Sequence, residues 1–183
     1  MKTIEVSIKG ISGLLQNRFP EEDQETKVRK KSATSNDQDI QKCLYRLSDG
    51  TIYQPSSHII GTLKAASAKF RIKDQGKSTY KNIVGGGAVI VEPDAIPHVF
   101  QKWEIDSRPI VNQATKGRRI KKRPLFREWV LSFRLIVDEE DIPLEVLKEI
   151  IDLAGRRVGI GDYRPQKGGP FGRFMVTRFE EKD

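Results

Sequence analysis

Cysteine is almost missing from this chain: Cys43 stands alone among 183 residues, so no internal disulfide can form. Histidine is nearly as scarce, and His58 and His98 by themselves cannot supply a zinc-ligand set of recognisable spacing. Neither a metal nor a cofactor is expected. No apolar run reaches the roughly 18 residues that a membrane helix needs. The opening MKTIEVSIKG alternates polar and apolar residues instead of presenting a signal-peptide core. The expected setting is therefore the cytoplasm, with no membrane partner. Carboxylates are outnumbered, 25 Asp and Glu against 33 Lys and Arg, which gives a net charge of +8 and a pI near 9.6. Such a balance favours a polyanionic partner, and nucleic acid ranks ahead of an anionic membrane.

The length fits one domain, residues 1–183. TIEVSIKGI alternates Ile4, Val6 and Ile8 with polar neighbours, the period of a strand with one buried face. Residues 17–39 carry charges of both signs and almost no apolar side chain, and read as a mobile loop. Asp37 is placed to cap a helix with Ile40, Cys43, Leu44 and Leu47 on one face, closed by Asp49 and Gly50. A second helix follows, with Ser56 or Ser57 as cap and Ile59, Ile60, Leu63, Ala66 and Phe70 as its apolar stripe. GGGAVIVEP reads as a glycine hinge and a buried strand stopped by Pro93. EWVLSFRLIV is the longest strand candidate, and RFMVTRF the last. Between them, Asp141 is placed to cap a helix with Pro143 in its first turn, ended by Gly155. The order matches an α+β, ferredoxin-like (RRM-like) βαββαβ domain: an antiparallel sheet, long insertions, and a second sheet face open to ligand.

Residues 64–81, 108–127 and 156–178 are the basic segments. The middle one holds Arg108, Lys116, Arg118, Arg119, Lys121, Lys122 and Arg123 and no acidic residue, so residues 103–128 read as a basic β-hairpin arm that grips a phosphate backbone. The plainer alternative is a solvated loop or tail. In the last, AGRRVGIGDYRPQKGGPFGRF packs six glycines and five cations around one carboxylate. Backbone at Gly159, Gly161, Gly168 and Gly169 can approach phosphates, while Arg156, Arg157, Arg164, Lys167 and Arg173 add charge-assisted contacts. Here the alternative is a tight surface turn with solvated arginines. No Gly-Lys-Ser/Thr follows, so this is not a nucleoside-triphosphate loop. Tyr163 and Phe171 are the aromatic residues best placed to stack bases.

Two stretches resemble the RAMP superfamily, the ferredoxin-like proteins that include backbone subunits and guide-RNA-processing endoribonucleases of CRISPR systems. IYQPSSHIIGTLKAA is similar to the family's helix motif, with Ser57 and Gly61 on matching positions, Lys64 where an Arg is usual, and Ser56 in place of a glycine. Residues 155–173 are similar to its C-terminal glycine-rich loop, and residues 108–127 to its protruding thumb. The resemblance implies a non-catalytic subunit that binds single-stranded RNA in a helical row of identical copies beside other effector subunits, with single-stranded DNA as the alternative ligand. It also leaves an endoribonuclease open, with His58 or His98 as acid or base, or Asp23 in the loop after the first strand. A basic protein-interaction module is the reading from a different class. No catalytic residue is assigned.

Overall fold

The structure, a computed structural model, describes residues 1–19, 40–111 and 116–182, with only the backbone of Arg119. Its main sheet has four antiparallel strands: β1 (Lys2–Gly10), β4 (Val89–Glu92), β8 (Val130–Val137) and β9 (Phe174–Lys182), in the spatial order β4-β8-β1-β9. Period-2 alternation makes them strands. Ile4, Val6 and Ile8 lie opposite Leu135, Phe133 and Leu131, and all six are buried on one face. Against that face pack α1 (Ser56–Ser67), through Ile59, Leu63 and Ala66, and α3 (Leu144–Leu153), through Leu147, Ile150 and Ile151. A short helix, α2 (Lys81–Gly85), adds Val84 to the same core. The fold is thus α+β with antiparallel sheets, compatible with a ferredoxin-like arrangement.

The sheet's outer face does not match the expected open ligand platform. Its charges are paired already: Glu5 with Arg178 (2.7 Å) and Lys182 (3.3 Å), Glu92 with Arg134 (3.5 Å). Ser7 and Ser132 share a hydrogen bond of 2.9 Å between the central strands. The cations Arg134, Arg178 and Lys182 on that surface are thus already engaged by carboxylates, which leaves them less available to a phosphate.

Two smaller sheets complete the fold: the first contains the expected basic hairpin, and their remaining short strands were not legible in the sequence. β2 (Leu14–Leu15) pairs with β7 (Arg118–Phe126), which runs antiparallel to β6 (Glu104–Val111) from Glu104↔Leu125 to Val111↔Arg118. This is the basic hairpin. β3 (Tyr53–Pro55) pairs with β5 (Ala95–Pro97). Each short strand has too few residues for a period to register.

Several boundaries differ from expectation. Among the described residues only Ile40 and Gln41 of the anticipated helix through Leu47 are helical, and a bridge between Arg46 and Ile52 follows. Asp23, Asp37 and most of the loop expected at 17–39 lie outside the described residues. No side chain caps α1: the Ser56 hydroxyl donates to Asp94 Oδ1 at 3.2 Å, and Pro55 occupies the cap position. Nor does Asp141 cap α3, whose cap position is Pro143. Gly155 does not end that helix. The chain continues into a π-helical turn, Ala154–Val158, and the left-handed residue is Gly159, whose N–H reaches the Ala154 carbonyl at 2.8 Å.

Candidate nucleic-acid interface

The helix motif and the glycine-rich loop, about a hundred residues apart in sequence, meet at the start of α1. The Thr62 hydroxyl donates to the Gly159 carbonyl at 2.9 Å, which fixes the loop on the helix. Between them lies a pocket of about 290 Å³ lined by Ser57, His58, Gly61, Thr62, Gly161, Arg164 and Gln166. No carboxylate lines it, and the first turn of α1 carries none. The helix start has no side-chain cap on its amides and its positive dipole end lies beside the pocket, although Asp94, outside the pocket lining, accepts from the Ser56 hydroxyl and N–H. Arg164 is held by neutral oxygens only: Nη1 donates to the Gly161 carbonyl (3.1 Å), Nε and Nη2 to Gln166 Oε1 (3.2 and 2.9 Å). Its charge is left for a ligand.

Gly61 is informative by contrast. A Cβ built there meets nothing within 4 Å, so packing does not require a glycine. Glycine inside a helix costs about 0.5–1 kcal/mol relative to alanine. A residue that weakens the fold and is not needed by it, at the rim of a pocket, fits close ligand approach.

His58 is half-buried on the pocket wall, and a chain of amides sets its tautomer. Gln16 Oε1 accepts from the Tyr45 N–H (3.0 Å), so Gln16 Nε2 is a donor, to the Tyr53 carbonyl (2.8 Å) and Gln54 Oε1 (3.1 Å). Gln54 must then turn its Nε2 toward His58 Nδ1. Nδ1 accepts, leaving the proton on Nε2 toward the Tyr45 hydroxyl at 3.5 Å. Burial, and secondarily the Arg164 charge, push the His58 pKa below its ordinary value. His58 is a neutral wall residue. His98 is buried: its ring lies 4.5 Å from that of Phe126, and its backbone bridges to Leu131. Burial lowers its pKa to about 4.

Most glycines of the loop serve the loop itself. The N–H groups of Gly159, Gly168, Gly169 and Gly172 donate to the carbonyls of Ala154, Pro165, Arg164 and Gly13, so they are not a phosphate cradle. A Cβ at Gly169 would fall 1.8 Å from the Tyr163 carbonyl, at Gly161 2.5 Å from that of Leu15, at Gly155 2.2 Å from that of Phe174. Gly168 needs its glycine for φ alone, +77°, with open space around it. The amide-cradle expectation is corrected at Gly159, Gly168 and Gly169, whose N–H groups are taken; Gly155, Gly161 and Gly169 are glycine because backbone passes against backbone, and Gly168 because of its φ.

The same loop is clamped to the hairpin. Asp162, its one carboxylate, takes Lys121 Nζ and Arg123 Nη1, both at 3.1 Å, on Oδ2. Burial alone would raise the Asp162 pKa, but the Arg123 and Lys121 hydrogen bonds and charges outweigh it and hold the pKa low. Arg123 is buried, and its Nη2 also lies 3.5 Å from Asp106 Oδ2; Asp106 Oδ1 accepts from Arg108 Nε at 2.8 Å. The Arg108 guanidinium sits 4.6 Å over the Phe171 ring, and that of Arg123 lies 5.7 Å from the Tyr163 ring. Phe171 is buried, whereas Tyr163 is exposed at a left-handed φ of 50°. A cleft of about 450 Å³ separates Tyr163 from Pro109, Ile110 and Val111 of the hairpin.

The anticipated residues therefore divide. Ser57, His58, Gly61, Gly161 and Arg164 come together in one pocket, and Arg108, Lys121, Arg123, Tyr163 and Phe171 in one adjoining clamp. Arg123 and Phe171 are internal to it. Lys64, Lys116, Arg118, Arg156, Arg157, Lys167 and Arg173 are exposed, and Lys122 is half-buried opposite Ser107. Arg119 pairs with Ile110 through its backbone. Sequence reasoning passed over Thr62, Gln166 and the Gln16–Gln54 pair, which nothing but tertiary proximity marks. Asp106 and Asp162 were legible only as isolated carboxylates in basic surroundings.

No protein-family model matches the chain, and no curated protein matches it. Among solved structures, a chain of the type III-B Cmr-β complex bound to cognate target RNA, determined by cryo-electron microscopy, is similar in fold, with a TM-score of 0.54 at 14% identity. The match covers 98% of this chain and 61% of that one, so this chain spans about three-fifths of its neighbour's length. Among the described residues no helix is long and apolar enough to cross a membrane, and no His, Cys, Asp and Glu cluster suits a metal ion.

Proposed function

We propose that this chain is a RAMP-type, ferredoxin-like subunit that binds single-stranded RNA without cleaving it, in a CRISPR ribonucleoprotein where copies line up along a guide. β1, α1, β4, β8, α3 and β9 form the βαββαβ core in this reading, with α2, β5, β6 and β7 as insertions. The observation that carries it is the carboxylate-free pocket where the uncapped start of α1, Gly61 and Arg164 converge. A phosphodiester there gains the helix dipole and a guanidinium at once. The Cmr neighbour supports the same direction, since its complex holds RNA. His58 belongs to the wall, not to a catalytic pair, because its Nδ1 is occupied by Gln54.

The test uses fluorescein-labelled 20-nucleotide RNA and DNA of one sequence. Arg164→Ala should weaken binding about 10- to 100-fold, the worth of a charged hydrogen bond. Gly61→Ala should raise folding stability by about 0.5–1 kcal/mol and still weaken binding, because the new methyl enters the pocket. RNA should emerge intact, with or without magnesium. Gly61→Ala and Arg164→Ala proteins that bind like the parent would refute the pocket. Tighter binding of the DNA would transfer the assignment to that ligand.

A further inference from the structure

Residues 64–81 hold Lys64, Lys69, Arg71, Lys73, Lys77 and Lys81 against a single acid, Asp74. This segment is folded. Arg71 bridges to Thr79, the Ile72 N–H reaches the Ser78 carbonyl at 2.9 Å, and the Tyr80 N–H reaches the Phe70 carbonyl at 3.1 Å. Phe70 and Ile72 pack on the core and Tyr80 is buried, so the alternate residues Lys69, Arg71 and Lys73 face solvent.

The six cations are all exposed, and none forms an ion pair among the described residues. Arg127, Arg134, Arg178 and Lys182 are exposed cations that do hold a carboxylate, whereas Arg156, Arg157, Lys167 and Arg173 around the glycine-rich loop share with this segment the lack of an ion pair among the described residues. Five of them, Lys69, Arg71, Lys73, Lys77 and Lys81, are fixed on one folded turn with Asp74 as the single carboxylate among them, so like charges there repel. The turn is also continuous with the pocket. Ser57, Gly61 and Lys64 succeed one another along the exposed side of α1, and the Lys64 stem passes over Gly85 of α2, the helix that Lys81 begins.

We infer that the turn formed by residues 69–81 is a second nucleic-acid contact, which with Lys64 carries the phosphate backbone away from the pocket at the start of α1. It rests on the proposed function for the ligand, but not for its own test. The α1 helix separates the two ends by about 18 Å, so one strand can touch both.

The experiment is amine-reactive labelling of the full chain, read by mass spectrometry, with and without the 20-nucleotide RNA. Lys69, Lys73 and Lys77 should become several-fold less reactive with RNA. The variant K69Q/R71Q/K73Q/K77Q should melt like the parent, bind that RNA about tenfold more weakly, and show a salt dependence shallower by about 0.7 in log-log slope per lost contact. Unchanged lysine reactivity together with parent-like binding by the variant would overturn the inference. So would protection by vesicles of phosphatidylserine and phosphatidylcholine but not by RNA. If these lysines are protected while Arg164→Ala and Gly61→Ala bind normally, the turn stands and the pocket reading falls.

Discussion

At the scale of single residues, two adjacent glycines separate conformation from space. At Gly168 an alanine finds room and suffers only the left-handed backbone, a cost of about 1–2 kcal/mol. At Gly169 the methyl would lie 1.8 Å from the Tyr163 carbonyl, so the loop must open. Thermal melting should therefore place Gly168→Ala close to the parent and Gly169→Ala far below it. His98 gives a second prediction. Its folded pKa of about 4 lies below the ordinary 6.5, so between those values the unfolded chain takes up a proton that the folded chain refuses. Its stabilising contribution is complete above pH 6.5 and is lost as pH falls toward 4, up to about 3 kcal/mol at roughly 1.4 kcal/mol per pKa unit. Urea unfolding at pH 7 and pH 5 should show a smaller acid loss for His98→Gln than for the parent; equal losses would remove His98 as the cause.

Between elements, the ion pairs at the hairpin base decide whether arm and loop move as one. Asp106 serves both Arg108 and the buried Arg123, and Asp162 joins Arg123 and Lys121 to the loop. Asp106→Ala strands part of a buried guanidinium's charge and should cost about 3 kcal/mol in urea unfolding. Replacing both partners, as Asp106→Leu with Arg123→Met, should recover most of that stability, since apolar side chains need no counter-charge. A double variant as unstable as the single one would show that the cost comes from packing. The hairpin itself was readable from the sequence, because its acid-free basic run lies between two extended segments. Its attachment was not, since Asp162 and Asp106 are ordinary carboxylates until the fold brings Arg123 between them.

For the whole molecule, the positive charge is distributed unevenly: paired on the outer sheet face, unpaired along α1 and the 69–81 turn. RNA binding should therefore weaken linearly in log-log with salt, by about 0.7 per phosphate contacted, and Arg134→Ala on the sheet face should leave that slope unchanged. A slope near zero would contradict an electrostatic interface. Net charge, the strand periodicities of β1 and β8, the stripe of α3 and the basic segments were all determined by sequence, because each is local or additive along the chain. Which cations remain free for a ligand was decided only by tertiary structure. A guanidinium's availability depends on the carboxylate that folding sets beside it: Arg123 has two and is buried, whereas Arg164, in the same kind of basic stretch, meets only neutral oxygens beside α1.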